Sequence, residues 1–176
     1  KRMTFEIHSD ITNRSMTAAA RAMRKVMRRK RSILWAVFGW SVFFINALLL
    51  IPFDGEPFTL DASTVISLLV EVMLLSVLLF QDQFNGMIAC KNTLAGTKDY
   101  HVVFGEESYT VVTEVTTSTF RYELIDAMAE SQDYIIFLMK KRYVQPLDKR
   151  TLTGGTVEEF KRFLEEKTGK TFRRVK

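Results

Sequence analysis

The side chain most out of keeping with its surroundings is Glu71. It is the only ionisable residue in SLLVEVMLLSVLLF, residues 67–80. An unpaired carboxylate is costly in a protein core and in hydrocarbon alike. Ser63 and Ser67 precede it at four-residue intervals, so a helix sets all three on one face. In the preceding apolar run Ser41 falls at a comparable depth, with Asn46 about one turn further along. A protonated Glu71 could donate a hydrogen bond to such a partner, and Gly39 would let two backbones approach closely. This set predicts a polar contact that clamps two helices of one chain, joins two copies, or meets another membrane protein. A proton relay is the remaining chemistry, but one acid on two helices offers it no evident path.

Other reactive side chains form no recognisable constellation. His8 and His101 are the only histidines, and with Cys90 they lack zinc-ligand spacing. The acids Glu106, Glu107, Glu114, Glu123, Asp126 and Glu130 are scattered over expected turns and strands and read as a solvated face. No serine, histidine and acid set stands out, and GTKDY is too short for a phosphate loop. The sequence therefore predicts no catalytic residue, no cofactor, no metal and no small-molecule substrate.

Cations are concentrated instead. Arg21, Arg24, Lys25, Arg28, Arg29, Lys30 and Arg31 follow one another without an intervening acid, and they supply much of the net charge of +5. Met16, Ala20, Met23 and Met27 recur among them at helical spacing, so the stretch reads as an amphipathic helix, capped by Asn13 or Ser15. Arg24, Lys25, Arg28, Arg29, Lys30 and Arg31 are the expected contacts to anionic lipid headgroups. Nucleic acid is a weaker partner, because no recognition motif accompanies the charge.

The elements that must position these groups follow from hydropathy. Residues 32–51 and 62–81 are two 20-residue apolar runs, each about 30 Å long as a helix and so able to cross a bilayer. Neither resembles a cleavable signal peptide. The connection 52–61 is acidic and contains Pro52, Gly55 and Pro57, which makes it a turn between antiparallel neighbours. Basic residues before the first run and acids between the two place both termini in the cytoplasm. A lone Cys90 fits a reducing compartment. Residues 82–98 read as a short helical exit and a linker. From 99 to 176 the period is two, with strands expected at Tyr100–Phe104, Tyr109–Thr113, TTSTFRYE, YIIFLMKK and RYVQPL. Thr156 and Glu159 form a capping-box pair for a last helix ending near Lys167 and Gly169. MTFEIHS, residues 3–9, alternates too. If it joins the later strands, the apolar hairpin is an insertion into the sheet domain. The expected class is an α+β membrane protein: residues 1–31 an N-terminal strand and basic helix, 32–81 the antiparallel transmembrane hairpin, 82–98 the linker, and 99–176 a small cytoplasmic antiparallel β-sheet domain closed by a C-terminal helix.

KNTLAGTKDYHVVFGEESYTV, FRYELIDAMAESQDYIIFLMKKRYVQPLDKRTL and GTVEEFKRFLEEK together resemble the YcxB-like family of small bacterial membrane proteins. The likeness rests on Phe120, Tyr122 and Ile125, on Glu130 with the aromatic strand Tyr134–Phe137, and on Pro146 before the closing helix. It implies a pleckstrin-homology-like domain tethered to the bacterial cell membrane. It implies architecture more than activity. Two functions fit: a membrane-anchored scaffold or regulatory subunit, or an immunity protein or transporter modulator acting through the hairpin.

Overall fold

The computed structural model describes residues 4–51, 60–140 and 143–175. Of the connection expected at 52–61, only Leu60 and Asp61 belong to the described residues, so Pro52, Gly55 and Pro57 lie outside them. Described strands and helices mix as an α+β chain with two long apolar helices.

Alternation dictates the first sheet. In β1 (Phe5–Asp10) Phe5, Ile7 and Ser9 are buried, whereas His8 and Asp10 are exposed. β2 (Asp99–Phe104) repeats the pattern with Tyr100, Val102 and Phe104. Together with β3 (Ser108–Thr113) and β4 (Thr117–Arg121) they form an antiparallel sheet in the order β1-β2-β3-β4. β1 and β2 pair directly, from Phe5 opposite Phe104 to Asp10 opposite Asp99. Everything between them in the chain, including the apolar hairpin, is thus inserted between two neighbouring strands.

The second sheet has the order β7-β6-β5-β8, from β5 (Ala127–Glu130), β6 (Tyr134–Met139), β7 (Tyr143–Asp148) and β8 (Phe172–Arg174). Its β5–β8 pair is parallel, which the expectation of a purely antiparallel sheet did not include. The sequence reading also missed both of these short strands. β6 is an inner strand, and all six of its residues are buried. One side of it faces the core; Ile136 and Leu138 on the other pack with Ala19, Ala22 and Met23. A strand covered on both faces reads as an unbroken apolar run, as YIIFLM does. Pro146 sits on the edge strand β7, where its missing N–H costs no ladder bond.

The sheets meet along β1 and β7. The Asp148 amide donates to Ser9 Oγ at 2.9 Å, and Glu6 and Thr153 exchange two backbone bonds. Between the sheets lie Phe5, Ile7, Phe104, Tyr109, Ile135 and Phe137, all essentially inaccessible. Helix α4 (Val157–Thr168) closes one end by seating Phe160 4.7 Å from the Phe104 ring. Its start is the expected capping box of Thr156 and Glu159, and Gly169 ends it with φ at 66°.

After β1 comes α1 (Asn13–Ala22), then a π-helical turn at Met23–Met27. Arg28 breaks the helix before α2 (Arg29–Leu49). The N-cap of α1 is Thr12 rather than Asn13 or Ser15; Ser15 instead completes a capping box by accepting from the Thr12 amide. The apolar stripe of α1 turns toward the second sheet of its own domain. α3 (Ala62–Lys91) is a single 30-residue helix, kinked where Phe80 leaves helical geometry. Its last ten residues pass beyond the apolar run and pack on α1.

Candidate functional site

The polar chemistry gathers where the hairpin joins the sheets. Asp82, one residue beyond the second apolar run, is buried. Arg24 grips it with two hydrogen bonds, Nε at 2.8 Å and Nη2 at 2.6 Å, and Arg21 Nε lies 3.5 Å away. A planar fork meeting a carboxylate on two oxygens gives orientation as well as attraction. This bond holds the Arg24 guanidinium pKa above its usual value, against the opposing effect of burial. One turn on, Gly86 fits against the backbone of α1: a Cβ there would stand 2.5 Å from the Thr17 nitrogen. Only glycine lets the two helices meet this closely. Asp82 was not recognised from sequence, because its partners lie 58 and 61 positions earlier in the chain. The one available signal was a lone acid directly after an apolar run that follows a basic one.

Arg24 is therefore engaged inside the protein. Lys25, Arg28, Arg29, Lys30 and Arg31 are exposed at the helix break and the start of α2.

Glu71 lies within the hairpin, 8% exposed, and neither carboxylate oxygen has a hydrogen-bond partner. The helices touch at Gly39, where a Cβ would come 2.5 Å from Leu78 Cδ2. Counting the same number of residues outward along each antiparallel helix sets Glu71 level with Asn46. Gly39 is buried, Phe43 and Ala47 are half-buried, and Asn46 beside them is exposed. The Asn46 amide donates to the Val42 carbonyl of its own helix at 3.0 Å. Ser41 is exposed, Ser67 is exposed, and Ser63 is hydrogen-bonded to Asp61 at the helix cap. The expected polar residues thus share the hairpin, but none of them is bonded to Glu71.

Beside this junction a cleft of about 1020 Å³ opens between α1, the end of α3 and the β5–β6 turn. Arg14, Arg21, Lys149 and Arg174 line it, with the acids Glu130 and Asp133. Both acids are already held. Glu130 is bonded to Lys149 at 2.9 Å and Lys161 at 3.0 Å, and Asp133 to Arg14 at 2.6 Å. Burial pushes the Glu130 pKa up, but bonds from the two lysines outweigh it and hold the carboxyl below its usual range. The expectation of a solvated acid fails for Glu130, which is 9% exposed.

A second cleft, about 720 Å³, lies between the sheets, lined by Tyr100, Val111, Phe120, Met139, Tyr143 and Pro146 among others. Beside it β4 is an edge strand, bonded to β3 alone among the described residues. Val115, Leu124 and Tyr143 are exposed in the same region.

His8 does come together with acids across the β1–β2 pair: its Nε2 is 3.2 Å from Asp99 and 3.7 Å from Asp10. His101 pairs with Glu6 at 3.3 Å. All of these groups are well exposed and read as surface ion pairs. Among the described residues the sulfur of Cys90 reaches the Ile11 carbonyl, at 3.6 Å.

Residues 104–164 match the model of the YcxB-like protein family. Over that segment the chain is similar to the YcxB-like proteins. No curated protein and no solved structure matches the chain. The YcxB-like segment runs from the end of β2 into α4 and leaves out β1, β8 and the hairpin. The positions on which the resemblance rests are architectural. Tyr122 donates to the Gly105 carbonyl at 2.7 Å, Ile125 is inaccessible, and Glu130 ties the second sheet to α4 through Lys161.

Proposed function

We propose that this YcxB-like protein is a non-enzymatic scaffold or regulatory subunit of the bacterial cell membrane. In this reading α2 and α3 span the bilayer, both termini are cytoplasmic, and the sheet domain is pleckstrin-homology-like. Two features support the anchor. The two helices are long and apolar enough to cross a membrane, and the rest of the chain covers very little of them. A core helix of a soluble domain would be wrapped. Seven strands in two sheets before helix α4, with β8 added after it, support the domain type.

The observation that carries the function is the open β4 edge beside the apolar cleft between the sheets. An edge strand presents unpaired N–H and C=O groups, and an extended segment of a partner protein can add to it while placing a side chain in the cleft. The Asp82–Arg24 pair and the Gly86–Thr17 contact then hold that surface at a fixed place relative to the bilayer. The alternative, an immunity protein or transporter modulator, works through the hairpin instead. Glu71 faces inward between α2 and α3, which weakens it as the contact for such a partner.

Photo-crosslinking residues placed at Thr119 on β4 and at Met73 on the exposed hairpin surface test the two in living cells. A protein captured from Thr119 supports the scaffold. Capture from Met73 alone overturns it in favour of the hairpin reading.

A further inference from the structure

We propose that the cleft between α1, the end of α3 and the β5–β6 turn is a phosphate site that takes the headgroup of an anionic phospholipid. It rests on the reading that α2 and α3 span a bilayer. Position is the first argument. The α3 wall of the cleft is formed by Gln83 and Met87. They lie about 3 and 9 Å beyond the end of the apolar run at Gln81, at 1.5 Å per residue. A bilayer of 40–45 Å around a hydrocarbon core of about 30 Å has a headgroup layer of roughly 5–8 Å on each side. Gln83 therefore falls within that layer and Met87 at its outer boundary, so the α3 wall of the cleft runs through the headgroup region.

Charge is the second. Four cations line the cleft against two acids, and both acids are satisfied by cations they already hold. Arg174, at the end of β8, is exposed and makes no ion pair among the described residues. Arg21 stands 3.5 Å from an Asp82 that Arg24 already grips twice, which leaves most of its donors available. Arg14 engages Asp133 through one nitrogen. Three arginine forks around one cleft suit the oxygens of a phosphodiester. Asn13, Thr17, Gln83, Ser131 and Gln132 offer further partners for the glycerol or headgroup hydroxyls. The site differs from the exposed collar at Arg29–Arg31, because it is a cleft and its cations come from α1, β8 and Lys149.

The test uses the full chain in nanodiscs of phosphatidylcholine with increasing phosphatidylglycerol, with bound lipid read by native mass spectrometry. Arg174→Gln and the double variant Arg21→Gln/Arg174→Gln are compared with a collar variant in which Arg29, Lys30 and Arg31 become Gln. The double variant should lose about 10- to 30-fold in phosphatidylglycerol affinity, from roughly one charge contact per arginine. Arg174→Gln, which breaks no internal pair, should lose several-fold with an unchanged melting temperature. The collar variant should retain the lipid in the cleft. Equal lipid retention by the wild type and Arg174→Gln overturns the proposal. Inorganic phosphate or glycerol phosphate that displaces the lipid at millimolar concentration would make the site one for a soluble phosphate and overturn the lipid source. Carbonate extraction is run alongside. Release of the wild-type chain from membranes would refute the spanning reading itself, a result distinct from either of these.

Discussion

Glu71→Leu should stabilise the hairpin. The carboxylate is 8% exposed and both of its oxygens lack a partner. A buried polar group left unsatisfied costs about 1–3 kcal/mol. Leucine removes that cost and puts an apolar side chain at a buried position. The expected gain is thus about 1–3 kcal/mol. Glu71→Gln keeps a polar head in the same place and should change stability by less than about 1 kcal/mol. Reversible unfolding in mixed micelles, followed by loss of helicity, measures both. A loss above about 1 kcal/mol in the leucine variant would refute the reasoning, because it would mean that Glu71 has a partner. Asn46 is then the first suspect, since it lies at the same level and a rotation frees its amide from Val42. A double cycle with Asn46→Leu would show coupling above about 0.5 kcal/mol in that case and none otherwise. If leucine does stabilise, the acid is retained for something other than hairpin stability, and the phenotype of a cell carrying only Glu71→Leu becomes the informative measurement.

Four other outcomes are expected. Asp82→Leu strands Arg24 and Arg21 at the hairpin base and should cost about 1–3 kcal/mol, the partial exposure of Arg24 reducing the loss seen for fully buried pairs; protease cleavage between Ala22 and Arg31 should rise with it. Gly86→Val forces α1 from α3 because its Cβ meets backbone, and should lower stability by about 1–3 kcal/mol or more, measured as a melting shift in detergent. Glu130 and Asp148 both have depressed carboxyl pKa values in the fold, Asp148 through its bonds from Arg150, so their stabilisation is present above the unfolded carboxylate range and is lost as pH falls through the folded values; acid unfolding of the sheet domain should flatten in Glu130→Gln. In a chain lacking Cys90, a cysteine at Leu60 should react with an impermeant thiol reagent on intact cells and one at Ser108 should not; reaction at Ser108 without lysis would reverse the orientation.

What could be read from the sequence was what depends on local period and local punctuation. The apolar runs, the alternating strands around Tyr100 and Tyr109, the Thr156–Glu159 cap and the Gly169 stop are set by neighbours within a few residues, and each stands where expected. β5 and β8 were missed because AMAE and FRR carry no alternation of their own. They are strands because β6 and the chain after α4 bring them a partner. The cap at Thr12 was missed by one position, within the ordinary uncertainty of helix ends. The site was less legible than the fold. Asp82 with Arg24, Glu130 with two lysines, and Arg14 with Arg174 around one cleft are all encounters between distant segments. Sequence alone marks such residues only by type. It singled out Glu71 for a polar contact within the hairpin, between copies or with another membrane protein, and in the single chain its oxygens have no hydrogen-bond partner.

The insertion of the hairpin between β1 and β2 has a mechanical consequence. Both legs leave the same edge of one ladder, whose last pair is Asp10 and Asp99. On the domain side the legs are joined by the Arg24–Asp82 hydrogen bonds and the close Gly86–Thr17 contact, and α1 is packed on the second sheet through Ala19, Ala22 and Met23. Each leg then has one non-helical residue close to this welded base: Arg28 at φ −115° and ψ 23°, ahead of the first apolar run, and Phe80 at φ −109° and ψ 18°, the next-to-last residue of the second. A change in hairpin tilt that left the base intact would have to be absorbed at these two points, since helices bend sharply only where the backbone ladder is already interrupted. The β4 edge and the headgroup cleft lie on the domain side of both breaks. Their spacing is thus set by the sheet domain and its welded base rather than by the hairpin, and a partner on β4 would keep the same distance from the cleft whatever angle the hairpin takes in the bilayer.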